Sequence, residues 1–337
     1  PVGPPLETLD APIALHATAD GRHLLQVGRQ EDRAAVAIVE TGTHRRAAVV
    51  RLPFAFARSS VPLLGGRYLL VGAEADAPAL HLVDVEARTA TAVPIGLQGG
   101  SFTTYSLCRS PDGARVVGVG EIGGNATSEY FITADTRALV GGAAGAASAK
   151  LATAAMTGWD RLRAIRFAAD GARILVAGYA EDGAARTGGI SAFDPALTVG
   201  KVLTALPPPG RNKVQSLLLH PKHAVAFVAT ESQYDGIDYG GTKLVDLATG
   251  AVLYTAPFHV ATSSPHYEIV SGVVLPYPPR RVIGGQSDLG DNVHGPLVDL
   301  DGCASCPDPR SEPPPGIGGS GFGGTITGLA TPFGEEL

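Results

Sequence analysis

Internal repetition, a recurring turn chemistry and the lack of any long helical pattern predict an all-β chain. The architecture they favour is a β-propeller of six four-stranded antiparallel blades, with a seventh blade assembled from the two chain ends as the alternative. Short β-rich runs follow a turn again and again: Asp20-Gly21 before Leu24 to Val27, Gly65-Gly66 before Tyr68 to Val71, and Asp112-Gly113 before Arg115 to Val119. The series continues with Asp170-Gly171 before Arg173 to Ala177, Pro221-Lys222-His223 before Ala224 to Thr230, and Pro278-Pro279 before Arg281 to Ile283. Their starts lie roughly 45 to 60 residues apart, the interval of propeller-type repeats once loops vary in length.

Each run is followed by two further β-like segments joined by a tight turn, as in the stretch from Thr242 through Asp246 and Gly250 to Tyr254. The same hairpin is expected at Val36 to Val50, Leu80 to Val93, Tyr130 to Val140, Ile190 to Val202 and Pro296 to Cys306. Asp, Thr and Gly suit these turns because a side-chain oxygen can hold the backbone and glycine accepts a positive φ. A strand ahead of each turn, as at Ser106 to Ser110 and Ala164 to Phe167, completes four per unit. Runs such as Ile174-Leu175-Val176 are apolar on both faces, which fits sheets covered on both sides. Residues 1–312 are expected to form one propeller domain and residues 313–337 a Gly/Pro-rich linker and tail, in which Thr325 to Ala330 could return as a ring-closing strand.

Composition narrows the function classes. The chain has 337 residues, 26 Lys+Arg against 32 Asp+Glu, a net charge of −6, 45% hydrophobic residues and 17% charged ones. That is too apolar for a disordered protein, and too poor in basic residues to seek nucleic acid or anionic lipid on electrostatic grounds. No segment reads as a membrane span, since the most tempting one, Ala138 to Thr157, is Ala/Gly-rich and broken by Lys150. No phosphate-binding glycine loop and no G-x-S-x-G elbow is present; the glycines of Gly316 to Gly324 read as linker.

The turns and hairpins at Ser110-Pro-Asp-Gly113, Ala169-Asp-Gly171 and Val245-Asp-Leu-Ala-Thr-Gly250 resemble the YVTN-type family of bacterial propeller repeats. The motifs are short and degenerate, so the resemblance implies a fold more than an activity. Members serve as surface-layer proteins, as partner-binding subunits of periplasmic dehydrogenases, and as lyases or lactonases. The chain does not resemble a WD40 protein, because its sole Trp-Asp pair, Trp159-Asp160, precedes a first strand instead of ending a third.

Sorting residues by loop places Glu31, Asp32, Glu74, Asp76, Glu121, Glu129, Glu181, Asp182, Glu231, Asp235, Asp238, Asp288 and Asp291 between second and third strands, against Arg29, Arg33 and Arg186. An acidic end of the sheets is therefore expected, suited to a cation or a basic partner. Asp235, Asp238, Asp288, Asp291 and His294 are the candidate metal ligands: carboxylates spaced by glycine can wrap Ca²⁺, and His294 with His259 and His266 could hold a transition metal. No EF-hand spacing supports the Ca²⁺ reading. Cys303 and Cys306 form a C-x-x-C that would close a small disulfide loop in an exported protein, or half a zinc knuckle in a reducing compartment; the disulfide is preferred and Cys108 is left as an inert strand residue.

No catalytic set is recognisable. The leading expectation is a non-catalytic periplasmic or extracellular propeller that binds a protein partner as a subunit of a larger envelope or redox assembly. Two alternatives stand beside it: a metal-dependent hydrolase or lyase at a channel mouth, and a structural surface-layer repeat.

Overall fold

The computed structural model describes residues 9–76, 79–97, 100–123, 128–182, 185–198, 200–206, 213–219, 224–233, 241–257, 266–274, 281–288 and 297–299. These form two compact units, one ending at Ala152 and the other beginning at Thr153. Both are built of antiparallel sheets in which consecutive strands are neighbours.

The first unit contains three four-stranded sheets. Sheet 1 comprises β1 (Asp10–Ala17), β2 (His23–Gln30), β3 (Arg33–Glu40) and β4 (Arg46–Arg51). Sheet 2 comprises β5 (Phe56–Leu63), β6 (Tyr68–Ala75), β7 (Ala79–Asp84) and β8 (Thr89–Pro94). Sheet 3 comprises β9 (Ser101–Arg109), β10 (Arg115–Gly123), β11 (Ser128–Asp135) and β12 (Ala147–Ala152), and it joins sheet 2 where Glu74 and Ala75 pair with Thr103 and Phe102. The second unit holds sheet 4, made of β13 (Arg161–Phe167), β14 (Ile174–Asp182), β15 (Ala185–Phe193) and β16 (Lys201–Ala205). Sheet 5 follows with β17 (Lys213–Leu219), β18 (Val225–Gln233), β19 (Gly241–Asp246) and β20 (Val252–Pro257), then β21 (His266–Val274), β22 (Arg281–Asp288) and β23 (Leu297–Asp299). No helix is long and apolar enough to cross a membrane.

Sheets pack face to face through their alternating apolar rows. Leu25, Val27, Val36, Ile38, Val50, Leu52 and Phe54 of sheet 1 and its exit segment bury against Ala57, Leu69, Val71, Ala73 and Val83 of sheet 2. The opposite face of sheet 2, with Val61, Leu63, Leu70, Leu80 and Leu82, buries against Phe102, Leu107, Val116, Tyr130 and Ile132 of sheet 3. Sheet 2 thus has a core on each side, as its runs of consecutive apolar residues require. In the second unit Leu175, Ala177 and Ile190 meet Leu217, Val228 and Val245 in the same manner.

Turn chemistry repeats with the sheets. Between β1 and β2 the Thr18 hydroxyl donates to Asp20 at 2.6 Å, Asp20 accepts the Arg22 N–H at 3.0 Å, and Thr18 Oγ1 accepts the His23 N–H at 3.0 Å. Ser110 and Asp112 rebuild this network between β9 and β10, where Asp112 accepts the Ala114 N–H at 3.0 Å and Ser110 Oγ the Arg115 N–H at 2.9 Å. Gly21 and Gly113 close the two turns with φ of 66° and 71°, a region that costs a side-chain-bearing residue energy. Third strands end in a similar device: Asp84, Asp135 and Asp246 accept the N–H groups of Ala87, Ala138 and Ala248.

One expected strand is displaced. The hairpin expected over Tyr130 to Val140 needed its second arm immediately after the turn. Instead Thr136–Val140 forms a helical turn, α1, capped by Asp135 at 2.8 Å, and the fourth strand comes later as β12. Arg137, Ala138 and Leu139 are good helix formers, and a capping aspartate ahead of them outweighs the short strand pattern.

Candidate functional site

Every first strand carries a register break at the same distance before its turn. Arg58 of β5, Tyr105 of β9, Arg163 of β13, Gln215 of β17 and Val270 of β21 are each left out of the ladder with the following strand. In β1 the break is wider and spans residues 11–13. A bulge re-aims the side chain at that point and sharpens the twist of the strand, so the repeat fixes a side-chain position as well as a turn. The sequence shows no signal for it, because the bulged residues share no chemistry.

The bulges lie at the end of the sheets where second and third strands connect, the end expected to be acidic. Three of the acids there are paired with arginines from other strands. Arg51 of β4 bonds Glu31 at 3.2 Å, the Arg58 Nε–H donates to Glu74 at 2.7 Å, and Arg161 of β13 bonds Glu181 at 3.2 Å. Counting charges loop by loop missed these cations, which belong to first and fourth strands. These three pairs balance part of the expected acidic field among the described residues.

In the first unit this end carries an exposed aromatic ring flanked by two arginines. Phe56, the first residue of β5, is 42% exposed. The Arg29 guanidinium of β2 stands over its ring at 4.9 Å, and that of Arg58 lies 5.7 Å from the ring centre. Arg29 Nε is shielded from water and has no hydrogen-bond partner among the described residues. The group bridges sheets 1 and 2, with Arg29 from one and Phe56, Arg58 and Glu74 from the other.

Two imidazoles lie along the same junction. His16 Nε2 of β1 is 2.8 Å from the Ser60 hydroxyl of β5, and burial pushes the His16 pKa down to about 4. His81 of β7 is buried and stacked on Phe54 with ring centres 4.9 Å apart. Neither His81 nitrogen has a hydrogen-bond partner among the described residues, and burial lowers its pKa as well. In both rings it is desolvation that disfavours the charged form. Elsewhere in the unit Tyr130 hydrogen-bonds Thr104 at 3.1 Å, and burial raises its phenol to about 12, which suits a structural group.

In the second unit Trp159 lies against the paired glycines Gly178 and Gly189 of sheet 4, where a Cβ on Gly189 would come within 2.7 Å of the indole. The Trp-Asp pair is therefore a packing feature of that sheet. Arg163, the bulged residue of β13, donates to the Tyr179 hydroxyl at 3.2 Å with its guanidinium 5.4 Å from the ring centre.

Of the residues singled out as metal ligands, Asp288 ends β22, opposite Tyr267 in the ladder. His266 begins β21 and pairs in register with Gln233. Asp235, Asp238, Asp291, His294 and His259 lie outside the described residues, as do Cys303 and Cys306. Among the described residues no group of three His, Cys, Asp or Glu side chains converges on one point. Cys108 is buried in β9, with its thiol 3.4 Å from the Arg109 carbonyl.

No family model matches the chain, and no curated protein matches it. Among solved structures it is similar to the hydrazine synthase of Kuenenia stuttgartiensis at 14% identity and a TM-score of 0.43, over 72% of this chain and 78% of that one. A likeness this distant says nothing of activity.

Proposed function

We propose that the chain is an exported, non-catalytic β-propeller that binds a protein partner through the Arg29–Phe56–Arg58 surface of its first two sheets. The propeller reading is supported by repeated four-stranded sheets that pack face to face within each unit and share a bulge and a turn at fixed places. One observation carries the binding reading: an aromatic ring is left exposed between two guanidinium groups at a junction of otherwise well-covered sheets. Aromatic and arginine side chains dominate the energetics of protein interfaces, because each brings a large apolar area together with directional polar contacts.

Affinity isolation of the tagged protein from native envelope extracts tests the reading. One partner at fixed stoichiometry is expected, with recovery falling about tenfold or more for Phe56→Ala and Arg29→Gln. Equal recovery with both variants would overturn the assignment of the surface.

A further inference from the structure

We propose that the junction of sheets 1 and 2 is an acid-sensitive joint: proton uptake by His16 and His81 loosens it and dismantles the Arg29–Phe56–Arg58 surface that straddles it. The effect on binding rests on the function proposed above; the loosening does not.

Four kinds of contact hold this junction. The apolar faces of β2, β3 and β6 form its body, the His16–Ser60 hydrogen bond joins the first strands, the Phe54–His81 stack joins the segment after sheet 1 to β7, and Arg29 over Phe56 caps one end. Two of the four involve an imidazole held in this packed junction; the Ser60 hydroxyl can accept from a charged His16 as well as bond a neutral one, so what opposes a proton on either ring is the loss of water around it. A charge on His81 would have no hydrogen-bond acceptor and no anion to compensate it, so the ring must leave its stack to reach water.

The charged groups on the surrounding elements are engaged elsewhere. Arg51 of β4 is held by Glu31, Glu74 of β6 by Arg58 of β5, and Arg29 of β2 by Phe56. Arg33 of β3 donates to the Pro53 carbonyl, Glu40 accepts from Thr43, and Asp84 of β7 accepts the Ala87 N–H. Asp10 of β1, His23 of β2 and Arg46 of β4 complete the set. No carboxylate is thus placed to welcome the proton. Nothing comparable occurs between sheets 2 and 3, whose buried polar contacts are hydroxyls such as Ser59, Thr104 and Tyr130.

Hydrogen exchange with mass spectrometric readout on the intact chain tests the joint. Protection factors, corrected for intrinsic exchange, should fall about tenfold or more for residues 10–17 and 79–84 between pH 7.5 and pH 5, while residues 128–135 of sheet 3 hold theirs. The double variant His16→Gln, His81→Phe should stay flat over the same range, with His81→Leu as the alternative if the phenyl ring overpacks. A fall of equal size in the variants, or no fall in the native chain, overturns the proposal. Iodide quenching of the Phe56→Trp variant follows the surface itself and should rise in acid only while both histidines are present. Should the joint open in acid while partner recovery stays constant, the binding assignment fails and the joint stands.

Discussion

Single residues set the local rules, and a few can be isolated. Gly189→Ala would drive a methyl group into the Thr204 carbonyl and the Trp159 indole and should cost about 1 to 3 kcal/mol by chemical denaturation, because neither the backbone of the adjoining strand nor the packed indole can give way without moving a strand. Tyr130→Phe removes the bond to Thr104 and should cost about 1 kcal/mol while leaving the ring in place. Ala168→Ser should act in the opposite direction. Ala168 stands where Thr18 and Ser110 stand in their turns, with Asp170 already accepting the Ala172 N–H at 2.9 Å, so the missing hydroxyl should add about 1 kcal/mol. The Asp-Gly turns were legible in the sequence because their chemistry is local: a carboxylate reaches N–H groups two residues on, and glycine supplies the positive φ.

At the scale of elements, the strands and their order were readable because each hairpin is closed by residues adjacent in sequence. The displaced fourth strand of sheet 3 shows the limit, since the Asp135 cap could close a hairpin or start a helix and the sequence pattern did not choose. Bulges were not readable: they depend on which residue a neighbouring strand leaves unpaired, and two arginines, a tyrosine, a glutamine and a valine occupy the position with no residue type common to all. Ion pairing at the sheet ends was not readable for the same reason, because Arg51 and Arg161 approach Glu31 and Glu181 across ladders. Deleting Arg163 tests the element directly. It should keep Leu162 opposite Gly178 and Ala164 opposite Ala177 while removing the local twist of the strand, and lower the melting temperature of the chain more than Arg163→Ala, which removes only the side chain.

For the molecule as a whole, acid should act in two stages. The folded-state pKa values of His16 and His81 lie below 6.5, so as pH falls through 6.5 the unfolded chain takes up protons that the folded chain refuses. That stabilisation is complete above pH 6.5 and is lost toward pH 4; the His16 part amounts to roughly 2 to 3 kcal/mol. Asp20, Asp112, Asp194 and Asp246 are held below the ordinary aspartate range by hydrogen bonds, so their contribution is present above about pH 4 and disappears below it. The first stage should vanish in the His16→Gln, His81→Phe chain and the second should remain, as read by thermal unfolding across pH. The claim on which function rests is that Phe56 faces a protein partner. Placing a photo-crosslinking phenylalanine at position 56 in the native host tests it most directly, with position 151, where Leu151 is 52% exposed on sheet 3, as the control. A single adduct at position 56 that is absent at position 151 and lost on Arg29→Gln is the predicted result; indistinguishable adducts at the two positions, or none at position 56, would contradict it.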